Sequence, residues 1–354
     1  MNLTVIGLNH KTAPIEIREQ FYLNETQQEL FLSELKNNPG VIEAFIFSTC
    51  NRIEVYLHLL RGSIGPEKII ELITTIKKSP QSISFMNHFY RYEGREAVKH
   101  LLKVAAGLDS LVLGEKQILG QIKIAFDRAR NKGMFSKQFN LLSNIAIRTG
   151  KIARNETNIC HGGSSISWAA IAKAESVLGS LQDRSLLIIG AGKMGDLAVE
   201  QISNKGFKNL FIMNRTQVNA QMIVEKYGGI AAGFCDIKEI LSQVDICICC
   251  ADAPHYIIEK DIAQKVMPQR QNRQLVFVDI SMPRNIDPKV TEVDNVVLFK
   301  IDDLENVVAE NMKKREEAIL QVETIIQRKL SEFFEKLNKA RNIDTEVTET
   351  VEQI

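Results

Sequence analysis

The chain has 354 residues, 45% of them hydrophobic and 25% charged, with a formal net charge of +1. That length is too great for one ordinary core and suits two or three domains of a soluble globular protein, while the near-zero charge excludes a molecule that captures a polyanion by bulk attraction alone. No apolar stretch is long enough for a membrane span, and the start, Met1 to Gly7, has no basic region ahead of its apolar residues, so a cytoplasmic protein is expected.

The first ninety residues alternate strand and helix signals. A strand is expected around Leu3 to Gly7, a helix over Glu25 to Lys36, strands around Phe45 and Val55, a helix over Pro66 to Lys77 and a strand around Phe89 to Tyr92. This is a βαββαβ pattern, a small split α/β domain. Asn24 and Pro66 are helix-start residues, and Asn37-Asn38-Pro39-Gly40 is a stop. Cys50 then falls in the hairpin between two central strands, within Ser48-Thr49-Cys50-Asn51-Arg52. A strand that delivers a thiol to a polar turn, with a guanidinium two residues on, places a nucleophile beside a group that can hold a carboxylate or favour a thiolate. The competing reading is a packed cysteine, which the local pattern alone favours.

From Arg95 to about Gly179 the pattern is helical, with interruptions near Asp109, Gly133 and Gly162-Gly163; Ser164 to Leu178 forms a long connecting helix. Between Lys116 and Arg154 lie Lys123, Arg128, Arg130, Lys132, Lys137, Arg148 and Lys151, against the single acid Asp127. That stretch is a candidate phosphate-facing surface, or else a solvated helix face.

Arg184 to Ile189 reads as a buried strand leading into Gly190-Ala191-Gly192-Lys193-Met194-Gly195 and a helix. A second strand, Asn209 to Met213, ends in Asn214-Arg215-Thr216, and further strands are expected at Val244 to Cys249, Leu275 to Asp279 and Val296 to Phe299. The pattern is a doubly wound parallel sheet of the Rossmann type, in which a GxGxxG turn has its proper context. Gly190 serves the tight turn, Gly192 the approach of a pyrophosphate and Gly195 the packing of helix on strand. Where an NAD-selective site places an acid, this chain has Asn214, Arg215 and Thr216; Arg215 can pair with a 2′-phosphate, so NADP(H) is expected.

From Ile301 the chain is helical and charged, with Ile319, Val322, Ile326, Phe333 and Leu337 forming a stripe suited to another helix. The expected division is therefore residues 1–160, a catalytic domain with a helical extension, 161–300, the linker helix and dinucleotide domain, and 301–354, a helical dimerisation segment. The six cysteines show no disulfide framework, and no group has convincing metal-ligand spacing.

One further segment, His100-Leu101-Leu102-Lys103-Val104-Ala105-Ala106-Gly107-Leu108-Asp109-Ser110-Leu111-Val112-Leu113-Gly114-Glu115-Lys116-Gln117-Ile118-Leu119-Gly120-Gln121, joins Gly7-Leu8-Asn9-His10-Lys11-Thr12-Ala13-Pro14 and Ser48 to Arg52. Together these strongly resemble glutamyl-tRNA reductase, and the resemblance runs on through Ser164-Ser165-Ile166-Ser167, the glycine turn and Asp279-Ile280-Ser281-Met282-Pro283-Arg284. The resemblance implies an NADPH-dependent oxidoreductase that opens the five-carbon route to tetrapyrroles. In it Cys50 attacks the ester of glutamyl-tRNA(Glu), and the resulting thioester is reduced to glutamate-1-semialdehyde.

By the same resemblance Thr49, Asn51, Arg52, Ser110, Glu115, Gln117 and Gln121 surround the glutamyl group, with Arg52 on its side-chain carboxylate. Lys116 stands among them where the family usually has proline. His100 matches a histidine associated with activity, which either polarises the carbonyl or handles a proton; His10, His58, His88, His161 and His255 are read as structural. The family implies a homodimer formed through its C-terminal helices, here shorter than usual, and glutamate-1-semialdehyde aminomutase as a partner. Two other readings are open: a shikimate-dehydrogenase-like NADP oxidoreductase, which needs no Cys50 nucleophile, and a non-catalytic tRNA- or partner-binding protein that keeps an NADP fold.

Overall fold

The computed structural model describes residues 2–60, 64–78, 83–115, 117–160, 166–202, 206–271, 273–304 and 316–351. Two compact units divide the chain, one of residues 1–164 with 312–354 and one of residues 165–311.

In the first unit, strands β1 (Leu3–Asn9), β2 (Val41–Ser48), β3 (Arg52–Leu59) and β4 (Tyr90–Glu93) form an antiparallel sheet in the order β2-β3-β1-β4. Helices α1 (Ile15–Phe21), α2 (Glu25–Lys36) and α3 (Pro66–Lys77) fall between the strands. The sequence pattern predicts α2 and α3 residue for residue; it misses α1, which has only seven residues and begins right after Pro14. Asn24 and Gln27 form a reciprocal capping box at the start of α2, satisfying two otherwise orphaned backbone donors. Every residue of β1 and β3 is buried, so both faces of the sheet are covered and the polar side chains of β3 must find partners inside.

Three helices follow: α4 (Gly94–Ala106), α5 (Ile118–Asn131) and α6 (Lys137–Glu156). Phe45 of β2 stacks on Tyr56 at 4.4 Å and meets Phe126 of α5 and Phe139 of α6 edge-on, which ties these helices to the sheet. The N-terminus of α6 is held from a distance. Buried Glu43 on β2 accepts from the backbone amides of Ser136 at 2.6 Å and Phe139 at 2.9 Å, and pairs with His58 at 2.8 Å. Burial alone raises its pKa; the His58, Phe139 and Ser136 bonds more than offset this and hold it below the ordinary carboxylate value.

The C-terminal helix, Glu316–Val351, packs on α4 and α6. Its residues Ala318, Val322, Ile326, Leu330, Phe333 and Leu337 are buried in the same core as the sheet. The apolar stripe is thus covered within the chain, and the expected separate segment from residue 301 divides between the two units.

Part of the basic stretch is partnered within the chain. Arg128 binds Gln28 and Glu25, Arg130 binds Asp127 and Ser143, Lys132 pairs with Glu29, and Arg154 turns toward backbone carbonyls. Acids from α2 neutralise charges that look unopposed when only the local sequence is counted.

The second unit opens with α7 (Ile166–Leu178) and holds a parallel sheet of β5 (Ser185–Ile189), β6 (Asn209–Met213), β7 (Ile230–Ala232), β8 (Ile246–Cys249), β9 (Leu275–Asp279) and β10 (Val296–Lys300). The order β10-β9-β8-β5-β6-β7 reverses direction at β5 and β8, which opens a crevice at their carboxyl ends. Helices α8 (Lys193–Ile202), α9 (Gln217–Tyr227), α10 (Ile237–Gln243) and α11 (Lys260–Val266) complete it. Among the described residues no helix is long and apolar enough to cross a membrane.

Candidate active site

Thr49 to Asn51 join β2 to β3 and present Cys50 half-buried. The turn is fastened by the Thr49 amide on the Arg52 carbonyl at 2.8 Å, the Asn51 amide on Thr49 Oγ1 at 3.2 Å and the His10 amide on the Asn51 carbonyl at 3.0 Å. His10, expected to be structural, therefore lies against the loop that carries Cys50. Burial, with Arg52 and Lys11 adding to it, lowers its imidazole to about 3, so it is neutral.

Burial pushes the Cys50 thiol up to about 12, the Glu115 charge adds to this, and Arg18 and Arg52 oppose it. The expected thiolate-favouring guanidinium is engaged elsewhere. Arg52, 2% exposed, binds Glu54 Oε1 at 2.6 Å and Asp109 Oδ2 at 3.0 Å through Nη1, and the Asp109 carbonyl through Nη2. Glu54 and Asp109 hold the guanidinium, and its pull on the thiol, with that of Arg18, is too small to offset burial.

The loop after α4 closes over this hairpin. Gly107 ends α4 with φ 79°, Gly114 returns its amide to the Gly107 carbonyl at 3.0 Å, and a Cβ on Gly114 would strike the Ile159 carbonyl. Asp109 takes Lys11 at 2.6 Å as well as Arg52, while Arg154 reaches the Glu115 carbonyl at 3.3 Å. Burial raises the Glu115 carboxyl to about 7 against the pull of Arg52 and Arg154.

Ser110 and Asn51 are each 8% exposed, and Ser110 Oγ and Asn51 Oδ1 are buried without a hydrogen-bond partner. Buried atoms of this kind can bond a bound ligand or an ordered water. Gln117 and Gln121 begin α5 and bond each other through the backbone at 3.1 Å, but no side-chain hydrogen bond ties them to the hairpin among the described residues. Lys116 and His161 lie outside the described residues.

His100 joins the site through a residue that sequence reasoning missed. Buried Glu54 accepts from His100 Nε2 at 2.9 Å, Tyr90 at 2.6 Å, Tyr56 at 2.7 Å and Arg52 at 2.6 Å. Burial raises its pKa, yet His100 and Arg52 outweigh this and hold it well below the usual carboxylate range. The available signal was the acid in the alternating strand Ile53-Glu54-Val55-Tyr56, two places from Arg52. Glu54, His100 and Asp109 also bring three potential metal-ligand atoms within 4.8 Å. Arg52 bonds both carboxylates, so the group is built as an ion-pair network.

In the second unit, Gly190 has φ 112°, and a Cβ on Gly195 would strike the Gly190 carbonyl, whereas one on Gly192 would meet nothing within 4 Å. The first two facts require glycine; the third leaves room for a pyrophosphate. Ala191 donates its amide to Asn214 Oδ1 at 3.1 Å, linking the turn to the end of β6. Lys193 and Met194 begin α8. Exposed Arg215, with Asn214 and Thr216, lines a cavity of about 580 Å³ together with Gly190 and Gly192. His255 and Cys250 line it too, so His255 faces the cleft instead of serving only the packing. These residues fit a dinucleotide.

Comparison with known proteins accords with both halves. The family profile described as glutamyl-tRNAGlu reductase, N-terminal domain, matches residues 6–157, and that described as shikimate / quinate 5-dehydrogenase matches residues 172–307. The likeness to shikimate dehydrogenase is thus confined to the dinucleotide half. A glutamyl-tRNA reductase of Thermodesulfovibrio yellowstonii is 39% identical over 349 residues, covering 97% of this chain and 81% of that protein. One of Carboxydothermus hydrogenoformans is 40% identical over 335 residues, covering 95% and 74%. The solved glutamyl-tRNA reductase of Methanopyrus kandleri matches with a TM-score of 0.51 at 31% identity, covering 96% of this chain and 81% of that one. With relatives this similar over nearly its whole length, the chain belongs to the glutamyl-tRNA reductase family.

Proposed function

We propose that this chain reduces glutamyl-tRNA(Glu) to glutamate-1-semialdehyde with NADPH, through a thioester on Cys50. The observation that carries the reading is the half-buried Cys50 thiol in a fastened hairpin, with buried, unpartnered acceptors at Asn51 Oδ1, next to it in the chain, and at Ser110 Oγ, next to the Asp109 that binds Arg52. A glutamyl α-ammonium group supplies the donors those acceptors lack.

In the acylation step the Cys50 sulfur bonds to the glutamyl carbonyl carbon and the carbon–oxygen bond to the terminal ribose breaks. Because the thiol sits at about 12, its proton needs an acceptor close by. Glu115, raised to about 7, is part ionised near neutral pH and can take that proton and pass it to the departing ribose oxygen. Arg52 stays the candidate for the substrate's side-chain carboxylate, which would replace Asp109 on its guanidinium. His100, held by Glu54, adjoins the same network.

When bound, NADPH supplies the hydride that takes the thioester to the aldehyde, and Cys50 leaves as a thiolate that regains a proton. Gly190, Gly192 and Gly195 would hold its pyrophosphate, and Arg215 its 2′-phosphate. The test is Cys50→Ser in the full chain: aldehyde formation should fall to background while cofactor binding persists, and undiminished aldehyde formation would end the proposal.

A further inference from the structure

The Glu54 carboxylate crosses a whole strand to reach His100. In the pairing of β1 with β3, Gly7 stands opposite Glu54; in the pairing of β1 with β4, the same Gly7 stands opposite Tyr90. The three residues form one row across the sheet, and residues directly opposite one another share a face. The middle of the row has no side chain, and the Tyr90 hydroxyl meets Glu54 Oε1 through that gap at 2.6 Å. Tyr56, two places along β3 on the same face, donates to the other oxygen, Oε2, at 2.7 Å.

His100 sits at the far end of this row. The rings of Tyr90 and Tyr92 lie 5.3 Å and 5.1 Å from its own and 5.2 Å from each other, so the imidazole packs against a pair of aromatic rings. Its Nε2 is 2.9 Å from Glu54 Oε1 and 3.5 Å from the Tyr90 hydroxyl, while Nδ1 makes no hydrogen bond to the described residues. An anionic carboxylate can only accept, so the hydrogen shared with Glu54 belongs to the imidazole.

We infer that Tyr90 and Tyr56 are positioning residues, whose hydroxyls hold the Glu54 carboxylate toward His100 Nε2 so that His100 meets the substrate through Nδ1. The phenols are suited to this role because burial and then the Glu54 charge push both well above the usual tyrosine value, so they remain donors. The network around Glu54 is electrostatically closed, since Arg52 and Lys11 face Glu54 and Asp109. Removing one phenol oxygen leaves the fold's apolar contacts in place and loosens only the aim of the carboxylate. The role of His100 in turnover rests on the function proposed above; its tautomer does not.

Two measurements test this. Nitrogen-15 spectra of His100 in alkaline buffer should show the Nε2-protonated tautomer in the unmodified chain and a mixed population in Tyr90→Phe. Steady-state kinetics of Tyr90→Phe and Tyr56→Phe should show kcat lowered roughly tenfold, the scale of one hydrogen bond to a charged group, with KM for glutamyl-tRNA unchanged. An Nδ1-protonated His100 in the unmodified chain, or kcat within about twofold of the parent in both variants, would overturn the inference. Should a variant fail to fold, the spectrum of the unmodified chain decides alone. Absence of aldehyde from the unmodified chain would instead refute the functional reading and leave the tautomer result standing.

Discussion

Gly7 stands directly across from Glu54 in the pairing of β1 with β3, and a Cβ at Gly7 would lie 2.9 Å from Glu54 Cγ and 2.5 Å from the Ile53 carbonyl oxygen. Gly7 is therefore a spacer that lets a buried carboxylate reach from one side of the strand to the other. Gly7→Ala should cost about 1–3 kcal/mol of stability from overpacking and lower kcat at least tenfold, because the displaced carboxylate no longer meets His100. Thermal melts and steady-state rates on the same preparation check both parts. A variant with full activity would show that Glu54 need not cross the strand.

Glu115 should leave a signature in stability against pH. Its folded value of about 7 lies above the ordinary 4.5, so between those values the unfolded chain gives up a proton that the folded chain keeps. Stability is thus fully present below 4.5 and falls as pH rises toward 7. Glu115→Gln removes this dependence: its melting temperature should match the parent in acid and exceed it above neutrality, while aldehyde formation drops. Parallel melting curves at all pH values would contradict the raised carboxyl.

Glu43 works in the opposite sense. Its carboxyl is lowered by His58 and by the amides of Phe139 and Ser136, so its contribution is present above its ordinary 4.5 and is lost as pH falls below it. Glu43→Gln should destabilise the first unit by about 2–4 kcal/mol near neutrality, since the start of α6 and His58 lose a buried charged partner. Denaturant titration reads the loss directly.

Arg215 should set cofactor choice. It is exposed and lines the dinucleotide cavity beside Asn214 and Thr216. Arg215→Ala should weaken NADPH binding roughly tenfold to a hundredfold by loss of a charge-assisted pair, and leave NADH binding unchanged. Equal losses for the two cofactors would assign Arg215 to the fold.

Much of the architecture was legible because it is written in local periodicity. The glycine turn after Leu186 to Ile189, the ends of α2 and α3 and the Cys50 hairpin all follow from patterns a few residues long. What escaped depends on partners far apart in sequence. Arg52 looks available until Asp109, fifty-seven residues on, takes it up, and Arg128 looks like a phosphate contact until Glu25 and Gln28 appear beside it. Glu54 looks like one polar position of a half-exposed strand until α4 covers that face and brings His100. The stripe from Ile319 to Leu337 was read correctly as a helix seam, but periodicity cannot say whether the matching helix lies in the same chain.

In the proposed reaction Cys50 carries the glutamyl group. Intact-protein mass spectrometry after mixing the full chain with glutamyl-tRNA in the absence of NADPH tests it most directly, with peptide mapping to place the adduct. One glutamyl adduct is expected on Cys50, absent in Cys50→Ser, that disappears as aldehyde forms on adding NADPH. Folded protein that forms aldehyde with no adduct, or that carries the adduct on another residue, would contradict it.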